Sequence, residues 1–204
     1  MYIVGLTGGI GSGKTTIAYF FSERDIEVIN ADQLARKVVQ PGTIALSQIK
    51  QKFGDKILTE SYGLNRSLLR EIVFKDERQR VWLENLLHPL IEDEINKSIE
   101  SALSQYVVLE SPLLLETNQH KLVNRILVID VSPEIQLKRT LSRDGGSEST
   151  IKAIIKSQLT RLQRLNMADD VINNEQDLKS VRIELESLHQ NYLSMAVGNC
   201  SFPK

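Results

Sequence analysis

The sequence predicts an α/β protein built on an open parallel sheet, and three observations lead there. A glycine-rich phosphate-binding loop joins a strand-like run to a helix-like run near the N-terminus. Further strand-like runs alternate with helical periodicity along the chain. One connection, from Ala31 to Gln105, is far longer than the dozen or so residues that a plain crossover needs.

The first strand-like run, Tyr2 to Leu6, leads through Thr7 into Gly8-Gly9-Ile10-Gly11-Ser12-Gly13-Lys14-Thr15. The segment fits G-x-x-x-x-G-K-[ST]: glycines let backbone amides turn inward around phosphate oxygens, the lysine reaches the outer phosphates, and the hydroxyl ligates magnesium. Lys14 to Phe21 reads as a helix whose positive N-terminus faces the phosphates. This flanking context argues against a chance glycine-rich turn, so the chain is expected to bind a nucleotide. The other strand-like runs are Glu27 to Asn30, Tyr106 to Glu110, Arg125 to Val131 and Asp170 to Ile172. Within the long connection, Asn65 can cap a helix running through Phe74. Glu77 to Leu87 starts another, which His88-Pro89 should interrupt because the residue before proline is pushed out of the α region; Pro89 can then start the next helix. An inserted helical subdomain is the expectation. Leu178, Val181, Leu185, Leu188 and Tyr192 form the apolar face of a C-terminal helix.

Composition bounds the function. The 204 residues are 41% hydrophobic, enough for one sizeable core and a small subdomain. A net charge of -1 gives no global attraction to nucleic acid or anionic membrane. The single cysteine, Cys200, has neither a disulfide partner nor a metal-ligand spacing, and no stretch approaches a signal peptide or a membrane span. A cytoplasmic protein is expected.

Beyond the loop, Asp32 follows the second strand, where ligands of open parallel sheets bind. A carboxylate there can accept a proton from an attacking hydroxyl, and Arg36, one helical turn on, can pair with a substrate anion. Equally, Asp32 can cap a helix and Arg36 can be solvated. Glu110 ends a β-branched strand as a candidate metal residue, and Pro112, Leu113 and Leu114 can wall a substrate or pack on the core. His88 can bind phosphate or cap a helix end. From Pro133 to Arg164, basic residues including Arg139, Arg143, Arg161 and Arg164 outnumber the acids, and Gly145-Gly146 separates two helical segments. This is the build of a lid that closes over polyphosphate, with Arg143 and Arg139 the better-placed arginines.

The ordered set GGIGSGKTT, NADQLARKVVQPG, LLHPLI, ESPLLLE, the basic lid and ADDVINN resembles the dephospho-coenzyme A kinase family over essentially the whole chain. The resemblance implies a P-loop nucleoside-monophosphate-kinase-like fold, three-layer α/β/α with a five-stranded parallel sheet. It implies a nucleotide-binding core at 1–30, 106–132 and 165–204, a helical substrate domain at 31–105 and a lid at 133–164. The implied activity is transfer of the ATP γ-phosphate to the ribose 3′-hydroxyl of dephospho-coenzyme A, with Mg2+. Carried over, the catalytic residues are Asp32 as base, Lys14 as phosphate clamp and Arg143 from the lid. Gly9, Gly11, Ser12, Gly13, Lys14, Thr15, Thr16, Arg139 and Asn173 hold the nucleotide, with Asn173 near adenine. Thr15 and Glu110 serve the metal, and Asp32, Arg36, His88, Pro112, Leu113 and Leu114 serve the acceptor. The partners implied are the two small-molecule substrates, without nucleic acid or membrane, for a monomer or weak homo-oligomer. Two positions depart from the family pattern: Asn30 stands where a first aspartate is common, and Glu110 where a shorter aspartate is common.

Overall fold

The computed structural model describes residues 1–200, with side chains for 1–198; the Cys200 side chain and Ser201–Lys204, a tail to which the sequence assigns no role, lie outside the described residues. Five strands form: β1 (Tyr2–Gly8), β2 (Glu27–Asn30), β3 (Tyr106–Glu110), β4 (Arg125–Asp130) and β5 (Asp170–Asn173). The α-helices are α1 (Lys14–Ser22), α2 (Ala31–Lys37), α3 (Ile44–Phe53), α4 (Arg66–Lys75), α5 (Glu77–Ser101), α6 (Pro133–Asp144), α7 (Glu148–Ser157), α8 (Arg161–Asn166) and α9 (Leu178–Cys200). The chain divides into two compact units, Met1–Asn30 with Ile99–Lys204, and Ala31–Ser98.

In the first unit all five strands run parallel in the order β2-β3-β1-β4-β5, so the strand that feeds the phosphate loop is central. Central parallel strands are covered on both faces and need apolar runs, which β3 supplies with the four buried residues Tyr106–Leu109 before the buried Glu110 at its end. On one face Val4, Leu6, Val108 and Leu127 meet Ile17, Phe20 and Phe21 of α1 and Val181, Leu185 and Tyr192 of α9. The expected apolar face of α9 therefore forms, except that Leu178 at its start is exposed. On the other face Gly5 admits Leu114 and Val123 from the β3–β4 connection. Asp170 joins β5 to β4 and α9, accepting two hydrogen bonds from Arg125 at 2.5 and 2.9 Å and one from the Tyr192 hydroxyl at 2.8 Å.

The second unit holds α2 to α5 around Val38, Val39, Ala45, Ile49, Ile57 and Leu69. Asn65 caps α4 as its sequence predicts, its side chain accepting from the Leu68 amide at 3.1 Å. The predicted break at His88-Pro89 does not occur, because α5 continues through Pro89 to Ser101. A proline inside a helix loses one hydrogen bond and crowds the preceding turn, at about 3 kcal/mol. Leu83, Leu86, Leu87, Leu90 and Ile91 pack on this core from both sides of the proline, and that shared burial outweighs the local penalty.

The first unit contains one buried histidine. His189 of α9 is 7% exposed, with its Nδ1 2.8 Å from the Tyr106 hydroxyl. Burial holds the imidazole below its ordinary pKa, with Glu186 pulling upward and Arg24 downward. An unfolded chain therefore takes up a proton before the folded one does. This contribution to stability is complete above the unfolded value of about 6.5 and is lost as pH falls below it. Thermal melts from about pH 7.5 to about pH 5.5 should show Tm falling toward acid, less steeply in His189→Gln; equal slopes would remove His189 from the linkage.

Candidate active site

The site begins with backbone geometry at the end of β1. Gly13, at φ 92°, ψ 21°, starts α1 without a capping side chain, so the first turn keeps its amides for another acceptor. The Lys14 ammonium folds back over the loop and donates to the carbonyls of Gly8 at 2.8 Å and Gly9 at 3.1 Å. The loop is braced from behind. Ser12 is fully buried and its carbonyl accepts from the Asn174 side-chain amide at 2.7 Å, while the Ile10 backbone amide donates to the Gln158 side chain at 3.0 Å. A Cβ on Gly9 would lie 1.8 Å from Gln136 Nε2, and one on Gly11 would lie 2.7 Å from the Thr140 hydroxyl. Thr15 and Thr16 face outward, at the start of α1.

Beside the loop, the C-terminal end of β3 supplies Glu110, only 6% exposed. Its Oε1 lies 3.4 Å from the Thr15 hydroxyl and its Oε2 accepts from the Asn30 side-chain amide at 2.7 Å. The two departures from the family pattern thus meet in space: Asn30 donates to Glu110 where a second carboxylate would repel it. Mg2+ takes oxygen ligands, commonly one or two carboxylates together with substrate phosphates. A hydroxyl and a carboxylate converging at the phosphate loop fit that requirement. Among the described residues no three His, Cys, Asp or Glu side chains form a cage that would hold a metal without substrate.

The basic residues of 133–164 separate into distinct environments. Arg143 is exposed and donates twice to its neighbour Asp144, each at 2.7 Å. Arg139 donates to the Asn174 backbone carbonyl at 2.8 Å, bracing the turn after β5. Arg161 clamps the buried Asp130 with bonds of 2.9, 3.0 and 2.6 Å. Arg164 is 7% exposed and donates to the Leu159 carbonyl. Gly145 and Gly146, at φ 66° and 87°, form the turn between α6 and α7.

Other expected residues fall as follows. Asp32 is exposed in the first turn of α2, where an acid suits the positive helix end, and Arg36 is exposed one turn later on the same helix. His88 is exposed in the middle of α5, not at a helix break. Pro112 is half-buried and Leu113 is exposed, but Leu114 is fully buried, with its Cδ2 2.6 Å from where a Cβ on Gly5 would sit. Its side chain is therefore part of the sheet packing and not an acceptor wall. Asn173 is exposed, accepting from the Glu175 amide at 3.0 Å. Sequence reasoning missed Asn174, Gln136, Thr140 and Gln158, which shape the loop from positions more than a hundred residues away. The doubled asparagine of the Asn173-Asn174 pair was the one available signal.

The dephospho-CoA kinase family model matches residues 2–180. The dephospho-CoA kinase of Shewanella oneidensis is 46% identical over 198 residues, spanning 97% of this chain and 96% of its own length. The structure of a dephospho-CoA kinase from Campylobacter jejuni is similar with a TM-score of 0.69 and 28% identity, covering 97% of this chain and 98% of its own. A shikimate kinase from Bacteroides thetaiotaomicron, at 16% identity, shares the fold with a TM-score of 0.51 over 93% of this chain and 96% of its own. The five-stranded parallel sheet and its phosphate loop are those of the P-loop small-molecule kinases, and the match along almost the full sequence is narrower than that class: the chain belongs to the dephospho-CoA kinase family.

Proposed function

We propose that this chain transfers the γ-phosphate of ATP to the ribose 3′-hydroxyl of dephospho-coenzyme A, giving coenzyme A and ADP, the last step of coenzyme A synthesis. The observation that carries the reading is the family match across residues 2–180, which includes a phosphate loop with Lys14 already laid over it. In phosphoryl transfer the protein mainly positions the reactants and stabilises charge. Loop amides from Gly9 to Thr16 and the Lys14 ammonium hold the outer phosphates. Mg2+, held by Thr15 and Glu110, neutralises phosphate charge when bound. Asp32 orients the acceptor hydroxyl and receives its proton, and Arg36, His88, Pro112 and Leu113 belong with the acceptor. Arg143 reaches the transferring phosphate by exchanging Asp144 for it, Arg139 of the lid helps hold the nucleotide, and Asn173 lies near adenine.

Residues 1–30, 106–132 and 165–204 form the nucleotide-binding core in this reading, 31–105 the acceptor domain and 133–164 the lid. Among the described residues no helix is long and apolar enough to cross a membrane. With one cysteine and a net charge of -1, the chain suits a cytoplasmic monomer or weak homo-oligomer acting on small molecules alone.

Purified protein with ATP, Mg2+ and dephospho-coenzyme A should yield ADP and a product identical to authentic coenzyme A by mass and chromatography. Phosphorylation of only a nucleoside monophosphate or another small metabolite would overturn the acceptor assignment. Lys14→Ala should abolish most turnover, and Asp32→Asn should lower kcat by roughly 10²-fold while ATP affinity holds. Normal turnover in Asp32→Asn would remove it as the base.

The Asn30–Glu110 pair gives a separate test. Asn30→Asp sets two carboxylates against each other, so one retains its proton above the ordinary carboxyl range in the folded chain. Folding then binds more protons than unfolding does, and stability falls as pH rises. In chelator, the variant should be about 1–3 kcal/mol less stable than the parent at neutral pH and should recover toward pH 4; a deficit independent of pH would contradict the pairing.

A further inference from the structure

The cations of the 133–164 segment do not have equivalent counter-charges. Arg161 has Asp130 and Arg143 has Asp144, each in a salt bridge. Arg164 is more than nine-tenths buried, yet among the described residues no carboxylate forms a salt bridge with it. Its guanidinium donates to a neutral partner, the Leu159 carbonyl. Glu116 and Asp130 act on it only at longer range: Glu116 accepts from the Leu159 amide, and Asp130 is engaged by Arg161. Desolvation dominates its electrostatics, with Glu116 and Asp130 pulling upward and Arg161 opposing. An arginine buried in this way is costly unless an anion arrives to pair with it.

Its surroundings indicate which anion. Nη2 of Arg164 lies 3.0 Å from where a Cβ on Gly9 would sit, and the Gly9 carbonyl is one of the two that accept from Lys14. Gly9 therefore has the Lys14 ammonium at its carbonyl and the Arg164 guanidinium at its bare Cα. Arg164 is held there by the local build of α8. Thr160 and Gln163 form a reciprocal capping box, Arg161 anchors the first turn to Asp130, and the preceding Gln158 accepts from the Ile10 amide of the phosphate loop. A planar five-donor fork held rigid and stripped of water matches a phosphate oxygen pair.

We infer that Arg164 is a ligand of the outer phosphates of bound nucleotide, a second fixed cation beside Lys14 that is in place before the lid closes. This rests on the kinase reading only in taking ATP as the nucleotide, and it requires no particular acceptor. Arg143, by contrast, must leave Asp144 to contribute, so the two arginines act at different stages.

The test is nucleotide binding without acceptor, by calorimetry, with the melting temperature of the free protein measured in parallel. Arg164→Met keeps much of the side-chain length and removes the charge. It should weaken ATP binding by about 10- to 100-fold while adenosine binding changes less than about twofold. The free protein should melt no lower than the parent, since an unpaired buried charge has been removed. Unchanged ATP affinity, or equal loss for ATP and adenosine with a lowered Tm, would make Arg164 structural and overturn the inference. Should Arg164→Met not fold, Arg164→Lys takes its place. Loss of the bidentate fork should then weaken ATP selectively by several-fold, and parental ATP affinity overturns the inference. Failure of the dephospho-coenzyme A assay leaves these binding outcomes intact, so the two readings fail separately.

Discussion

The active site depends on one steric constraint: the phosphate loop has almost no side chains with which to hold its own shape, so that shape is imposed by others. Cβ atoms on Gly9, Gly11 and Gly13 would lie 1.8 Å from Gln136, 2.7 Å from Thr140 and 2.4 Å from Asn174, respectively. These contacts come from α6 and from the turn after β5, and both packed elements press on the loop's outer wall. Gln136, Thr140 and Asn174 are themselves buried, and close-packed interiors yield little, so these side chains hold the loop's shape although its sequence is glycine-rich. Rigidity is what makes its amides useful, because donors already aimed at a phosphate need no reorganisation when charge develops. Central placement of β1 serves the same end, since a strand paired on both sides fixes where the loop begins.

How much of this is legible in the sequence depends on how far apart the interacting residues lie. The phosphate loop is a contiguous motif whose residue types follow directly from phosphate chemistry, and Asn65 caps α4 because capping is decided within four residues. The strands were legible because fully buried parallel strands need continuous apolar runs, as in Tyr106 to Leu109. Local rules fail where tertiary packing outweighs them. Pro89 carries a strong local signal to stop, yet leucines on either side of it share one core and the helix runs on. Leu114 looks like any other residue in a Pro-Leu-Leu-Leu loop, and only the missing side chain at Gly5, more than a hundred positions earlier, places it inside. The walls of the phosphate loop were hard to read for the same reason, since nothing near Gln136 indicates that it meets a glycine and only the doubled asparagine points to Asn174.

Charge in the site is similarly decided by partners that the sequence does not pair. A count of lysines and arginines from 133 to 164 suggests a broad basic surface. In the fold, Arg139 braces a backbone carbonyl and Arg161 fastens α8 to the end of β4. Both help hold the scaffold together, and Asp130 offsets the charge of Arg161, whereas Arg139 on a neutral carbonyl keeps its charge. On the opposite side of the site, Glu110 keeps one carboxylate oxygen toward Thr15 because Asn30 occupies the other. An amide at position 30 thus allows a carboxylate of this length to remain buried, where two acids would share a proton. The two departures from the family pattern are best understood as one compensated pair.

This division also limits how the segment from 133 to 164 can move. Gln136 and Thr140 are buried against the phosphate loop, and Arg164 lies beside Gly9, so both ends of the segment belong to the floor of the site. The residues between them differ: a Cβ on Gly145 or Gly146 would meet nothing within 4 Å, and these glycines are needed for their positive φ and not for close approach. In the lid reading, closure over a nucleotide turns about Gly145-Gly146 and carries α7, while α6, the loop and its buried cation stay still and Arg143, at the end of α6, contributes by its side chain leaving Asp144. Such an arrangement separates binding from commitment. Phosphates can dock on groups that are already in place, and water is excluded only when the outer part folds down. An enzyme that handles a reactive phosphoryl group gains from that order, because premature closure would block entry of the nucleotide and a floor that moved would misalign the phosphate at transfer.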